Sequence, residues 1–347
     1  MNARPAFALI LLATSAHAQG FAGLGTDVDG FAMPIRGTPL LFPQDHGPHP
    51  DYRIEWWYLT ANLNGADGTP YGIQWTLFRT ARAPEEADGW SSPQLWMAHA
   101  ALTSADVHLT AERLARGGTG QAGVTATPFA AWIDEWQMAG PDTSNVSVRA
   151  GTADWSYDLA LTAEGPLVFH GDNGYSVKSE EGQASYYYSR PFYTVSGNIL
   201  LNGSAIPVTG TAWLDREWSS QPLSDTQTGW DWFSLSFTTG EKLMGFLLRD
   251  SDGDAYTSAT WISPDGRTTA YPNGAFTAEP LRQHETPGTT LPTEWRVTLP
   301  DRGLDVTVTA LNPDAWMAVS IPYWEGPVTI TGSHDGVGYL EMTGYDN

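Results

Sequence analysis

One structural unit is written twice in this chain. Residues 54–62, Ile-Glu-Trp-Trp-Tyr-Leu-Thr-Ala-Asn, precede a turn and then Gly72-Ile-Gln-Trp-Thr-Leu-Phe-Arg79. Far downstream, Gly229-Trp-Asp-Trp-Phe-Ser-Leu-Ser-Phe237 precedes a turn and then Leu243-Met-Gly-Phe-Leu-Leu-Arg-Asp250. Each copy sets an acid before an aromatic pair (Glu55-Trp56-Trp57 and Asp231-Trp232-Phe233), and each second segment reaches an arginine, Arg79 or Arg249. A hairpin repeated in this way predicts two similar β units fused in tandem.

The rest of the chain agrees. Strand-length segments recur near 54–63, 71–80, 95–103, 130–138, 154–163, 186–201 and 207–218, and again from 230 to 345, with Asp-Gly and Asn-Gly turns between them. Seven or eight strands per series predict two consecutive lipocalin-like antiparallel β-barrels in an all-β protein. The 16 Trp and 14 Tyr suit strands and aromatic cavities. Residues 104–125 are the least legible, and a short helix is expected over Asp106–Arg116. The polar stretch 219–228, with Pro222 in it, reads as the link between units at 42–220 and 221–347.

The first residues read as a secretion signal. Arg4 precedes a short apolar run, 7–13, and Ala16-His17-Ala18 fits a cleavage site, giving a signal peptide at 1–18 and a leader at 19–41. The run is too short to span a bilayer, so a periplasmic or secreted protein without a transmembrane segment is expected. Cys is absent, which excludes disulfides and thiolate nucleophiles. The formal net charge of −22 argues against nucleic acid and anionic membrane surfaces as partners.

Alternation on the first strand places Ile54, Trp56, Tyr58 and Thr60 on one face, and Glu55, Trp57, Leu59 and Ala61 on the other. Both faces are apolar. Either the outer face packs against the second barrel or the inner face lines a dry cavity; a filled core without a cavity is the alternative.

Phe42-Pro-x-Asp45-His46-Gly47-x-His49-Pro50-Asp51 followed by Glu55-Trp56-Trp57-Tyr58 resembles the N-terminal signature of the AttH-like, carotenoid 1,2-hydratase-related family of predicted secreted hydrolases. Ser185-Tyr-Tyr-Tyr-Ser-Arg-Pro191, Trp213-Leu-Asp215-Arg-Glu217-Trp218, Ile321-Pro-Tyr-Trp-Glu-Gly-Pro327 and Gly338-Tyr-Leu-Glu-Met-Thr-Gly344 extend the resemblance to nearly the whole mature chain. It implies two lipocalin-like barrels. It also implies chemistry in which a carboxylic acid protonates an isoprenoid double bond and water traps the carbocation, a site needing a raised-pKa acid, aromatic faces and little water. Hydratase-like members resemble one another in a Gly-Tyr-His-Asp-His-Asn-Trp-Gly pattern. Asp215 and Trp218 match it, whereas Leu214 and Arg216 replace its histidines and Glu217 its Asn. AttH-like members are also associated with ABC exporters, which implies an ABC transporter as an alternative partner.

Three carboxyls are candidate catalytic acids: Asp215, Glu217 and Glu55. Asp215, Glu217 and Trp213 share one strand face, where two carboxylates must be paired or functional. Glu55 lies among aromatics, with Arg53 and Arg79 as candidate partners. Trp56, Tyr58, Trp75, His99, Trp213 and Trp218 are the candidate ligand-binding side chains. His46 and His49, in a Pro-dense loop with Asp45 and Asp51, are weak candidates for metal, and no cofactor is expected. No Gly-x-Ser-x-Gly elbow, phosphate loop or His-Glu-x-x-His is present. The expected role is binding of an apolar or isoprenoid-like small molecule, in the first barrel or at the junction. A hydratase (hydro-lyase) using Asp215 or Glu55, an exporter accessory protein and a carbohydrate-binding module remain as alternatives.

Overall fold

The structure, a computed structural model, describes residues 29–84, 87–287 and 289–345. The expected signal peptide and the start of the leader lie outside these residues. Thirteen strands build the first sheet: β1 (Ile54–Gly65), β2 (Pro70–Ala81), β3 (Gln94–Thr103), β4 (His108–Arg116), β5 (Ala122–Ala126), β6 (Phe129–Ile133), β7 (Trp136–Asp142), β8 (Asn145–Gly151), β9 (Trp155–Ala163), β10 (Val168–Phe169), β11 (Tyr175–Val177), β12 (Ala184–Leu201) and β13 (Ser204–Ser219). Ten build the second: β14 (Gln227–Phe237), β15 (Lys242–Asp250), β16 (Tyr256–Ile262), β17 (Thr268–Tyr271), β18 (Thr277–Glu285), β19 (Thr290–Leu299), β20 (Leu304–Ala310), β21 (Trp316–Met317), β22 (Tyr323–Gly332) and β23 (Gly336–Thr343).

Both sheets are antiparallel meanders whose last strand returns to the first: β13 pairs with β1, and β23 with β14. The unpaired seam falls between sequence neighbours in each case, β4 and β5 in the first and β17 and β18 in the second. This is the expected pair of lipocalin-like barrels, with more strands than seven or eight each. The helix expected over Asp106–Arg116 is not formed. His108–Arg116 is a strand laid on β3, with Leu114 opposite Met97 and Leu109 opposite Leu102; the ladder outweighs a weak local preference for helix.

The interior of the first barrel is a filled core. Trp57, Leu59, Ala61 and Leu63 of β1 point inward and meet Trp75, Trp136, Tyr157 and Tyr193. In the second barrel Phe233, Leu235, Trp295 and Trp324 do the same. The opposite face of β1 packs outward onto the second barrel, where Ile54, Tyr58, Tyr187 and Trp213 meet Trp232, Met244, Phe246 and Tyr339. The Tyr58 and Trp232 rings are edge to face, 5.2 Å apart. Both faces of β1 are therefore apolar because both are covered.

The repeat acquires a physical meaning here. In each hairpin the acid bonds the arginine of the next strand, Glu55 with Arg79 and Asp231 with Arg249. The first aromatic of each pair, Trp56 or Trp232, faces the other barrel; the second, Trp57 or Phe233, fills its own interior. The segment expected as a linker is packed rather than free. Leu223 is buried in the inter-barrel cluster, and Gln227 Nε2 donates to the Lys178 carbonyl at 2.8 Å.

Close approach of the barrels needs a glycine. A Cβ on Gly72 of β2 would lie 2.6 Å from Pro327 Cγ and 2.8 Å from the Tyr339 hydroxyl. Gly72→Ala is expected to cost about 1–3 kcal/mol through forced separation, read as a lower midpoint in urea. An unchanged midpoint would mean that the barrels slide without cost.

Candidate functional site

The loop before β1 and strands β2 and β13 lock one carboxylate. Glu55 is fully buried and bonds Arg79 and Arg216, while the backbone N–H of His49 donates to it at 2.9 Å. Burial alone would raise its pKa, but Arg216 first, then Arg79 and His49, hold it far below the ordinary carboxylate range. Arg79 also donates to the carbonyls of His49 and Tyr52, at 2.8 and 2.7 Å. Arg216 stacks over Trp57 at 3.9 Å. Glu55 thus ties the N-terminal loop to the barrel and is no proton donor.

One residue along β13 the side chain points the other way. Asp215 opens onto a cleft between the barrels and is separated from Arg216 by strand alternation. Its Oδ1 accepts from Trp213 Nε1 at 2.7 Å and from the Ser189 hydroxyl; its Oδ2 accepts from the Tyr187 hydroxyl at 2.8 Å. His170 Nε2 reaches Ser189 Oγ at 2.6 Å, and Trp232 Nε1 donates to Tyr187 at 3.2 Å. Burial raises the Asp215 pKa to about 7 against the pull of these donors, and neighbouring Glu217 adds to the rise. A carboxyl that titrates near neutrality, with Trp213, Ser189 and Tyr187 rather than an arginine as its hydrogen-bond partners, has the properties a general acid needs.

The cleft is about 220 Å³, predominantly apolar and partly open to solvent. Trp56, Tyr58 and Phe78 of the first barrel face Trp230, Trp232 and Phe246 of the second. Glu217 lies beside Asp215, with Lys178 Nζ 3.0 Å away and the Ser185 hydroxyl donating to it. A second carboxyl, Glu341, accepts from Trp230 Nε1 at 2.5 Å, and burial raises its pKa to about 7, with Asp215 and Glu217 contributing. Glu341 sits opposite Glu325 in the β22–β23 ladder. Like charges directly opposed are unfavourable, and burial together with Glu341 pushes the Glu325 pKa well above the ordinary range. Tyr58 caps Glu325. His99, also lining the cleft, contacts the Tyr323 hydroxyl at 2.9 Å and Glu112 at 3.2 Å.

Of the side chains singled out from the sequence, Asp215, Glu217, Trp56, Tyr58 and His99 line this cleft, and Trp213 holds Asp215 from behind. Trp75 does not: it opposes Leu59 in register and is sealed in the first barrel's core. Nor does Trp218, which packs with Tyr186 and Tyr188 and stacks on His49, ring centres 4.1 Å apart. His46 is buried, bonded to the Tyr188 hydroxyl at 2.6 Å and Thr143 at 3.2 Å, and burial lowers its pKa to about 4. The two ring nitrogens of His49 face different carboxylates, Asp45 and Glu55, each at 3.2 Å. No group of three or more metal-ligating side chains occurs among the described residues. Lys178, Trp230, Trp232 and Glu341 were missed. Trp232 had a signal, since it occupies the repeat position of Trp56. Glu341 lies in the 338–344 motif, but its place in the cleft, like that of Lys178, had no signal, because their neighbours across the cleft are far away in sequence.

The AttH-like family model matches residues 33–345. This chain belongs to the AttH-like family. The 2.00 Å crystal structure of a protein assigned as AttH from Nitrosomonas europaea shares 36% identity, covers 91% of this chain and 100% of its own, and superposes with a TM-score of 0.83. Kievitone hydratase from Nectria haematococca shares the fold at 15% identity, with a TM-score of 0.68, over 90% of this chain and 98% of its own. CghA with Sch210972 shares it at 12% identity and 0.55, over 91% and 97%. No functionally curated protein matches the chain. Among the described residues of this AttH-like chain, no helix is long and apolar enough to cross a membrane.

Proposed function

We propose that the inter-barrel cleft binds an unsaturated apolar small molecule of isoprenoid type, and that Asp215 protonates its double bond for hydration. The observation that carries this reading is a buried carboxyl, high in pKa, at the wall of an aromatic cleft. Transfer of the Asp215 proton to an alkene carbon leaves a carbocation on the neighbouring carbon. The faces of Trp56, Trp230 and Trp232 offer quadrupolar stabilisation to such a cation. Water adds to the cation and its surplus proton passes to Glu217, from which solvent exchange returns a proton to Asp215. The reaction then sums to alkene plus water giving alcohol. A volume of about 220 Å³ suits the end of a long chain rather than its whole length. The fold likeness to kievitone hydratase is consistent with this chemistry. The segment 1–18 supports action in the periplasm or outside the cell.

The test has two parts. Native mass spectrometry of the protein purified from its own cells is expected to show a bound hydrophobe. Incubation of isoprenoid alkenes, from geraniol to lycopene, in D2O is expected to give alcohols carrying one deuterium on carbon. A hydrophobe without deuterium incorporation would leave a carrier and remove the enzyme; neither would remove both.

A further inference from the structure

Lys178 stands out among the buried cations. Its side chain is only 3% exposed. Every side-chain nitrogen of Arg79 has a hydrogen-bond partner, and so do both terminal nitrogens of Arg216. Among the described residues the Lys178 ammonium has one polar partner, Glu217, at 3.0 Å, and otherwise meets the ring faces of Phe246 at 3.7 Å and Tyr187 at 4.9 Å. An ammonium carries three N–H donors, and the 3.0 Å contact with Glu217 engages at most one of them. The backbone is pinned from both sides: its N–H donates to the Gln183 carbonyl at 2.7 Å, and its own carbonyl accepts from Gln227. The ammonium is therefore held in the cleft wall, between Glu217 and the rings of Phe246 and Tyr187, with donors to spare. Burying such donors without an acceptor is costly, and a ligand that supplies one recovers that cost.

The surroundings select the kind of acceptor. Glu217 already balances the charge of Lys178, and Asp215 and Glu341 lie in the same cleft. A ligand carboxylate would bring another anion among these carboxyls, whereas a neutral carbonyl oxygen would not. We propose that Lys178 receives the carbonyl oxygen of an otherwise apolar ligand, so that the cleft prefers ketones, aldehydes or esters over pure hydrocarbons and fatty carboxylates. This rests on the reading of the cleft as a site for apolar small molecules and narrows its substrate class.

The probes are 2-nonanone, nonane and nonanoate, which share chain length and differ in the head. Binding is followed by displacement of Nile red and by quenching of the cleft tryptophans. The wild-type protein is expected to bind 2-nonanone at least about tenfold more tightly than either of the others, as one charge-assisted hydrogen bond allows. Lys178→Met should bring the ketone within about twofold of nonane and leave nonane unchanged. Lys178→Gln, which keeps a donor and the polar wall, should fall between and serves if the Met variant does not fold. Equal binding of ketone and nonane by the wild type, a ketone preference surviving in Lys178→Met, or tightest binding of nonanoate would each overturn the proposal. If no probe binds, the apolar-ligand reading itself fails and the carbonyl preference goes with it.

Discussion

Glu55→Gln is expected to lower the unfolding free energy by about 3–5 kcal/mol, the usual cost of removing one partner from a buried, hydrogen-bonded ion pair. The change leaves Arg79 and Arg216 buried with a neutral amide between them. It also frees the loop at His49, whose backbone N–H donates to Glu55. Because the carboxyl's pKa is depressed in the folded state, its contribution is fully present above the unfolded value of about 4.5 and is lost as pH falls through the folded value. The gap between wild type and variant in urea denaturation should therefore be constant near neutrality and shrink only in acid. A stable Glu55→Gln protein at pH 7 would show that the clamp is ornamental, and would reopen Glu55 as a chemical group.

Asp215→Asn is expected to reduce alkene hydration by about 10²–10⁴-fold, the range for a positioned general acid, while apolar ligands still bind. Asn keeps the volume and accepts from Trp213 but has no proton to give. The wild-type rate should fall as pH rises through about 7, where Asp215 ionises. Stability moves in the same direction. The folded state holds a proton that the unfolded chain releases near pH 4, so ionisation of Asp215 opposes folding between about 4 and 7. Wild-type stability should decline relative to Asp215→Asn across that window and run parallel to it above. Turnover of Asp215→Asn at the wild-type rate, or a rate profile flat through pH 7, would remove Asp215 as the acid and point to Glu341, the other cleft carboxyl with a pKa of about 7.

These two acids show how far the sequence could be read. The i, i+2 alternation of β13 placed Asp215, Glu217 and Trp213 on one face and Arg216 on the other, and the molecule obeys it. The doubled hairpin predicted two barrels, and the two apolar faces of the first strand predicted an outer face packed on the second barrel or an inner face lining a cavity, of which the first is seen. The same alternation was insufficient for Trp75 and Trp218. It says which residues share a face but not whether that face looks into a core, onto a loop or across to another barrel. Glu55 had Arg79 in register within its hairpin, so half of its clamp was legible. Arg216, which completes it, comes from a strand that returns to β1 only after the whole first barrel has been traversed.

Chemistry at the cleft belongs to that second class. Period-two patterning and turn residues are local properties, so the chain by itself determined its strands, their doubling and the apolar character of both faces of β1. Which Trp became core and which became wall depended on how two closed surfaces press together. The pKa values of Asp215 and Glu341 depend on the water that this contact excludes, and that exclusion is contributed jointly by β1, β12, β13, β14, β15 and β23. Desolvation is a sum over neighbours distant in sequence, and only the docked barrels supply it.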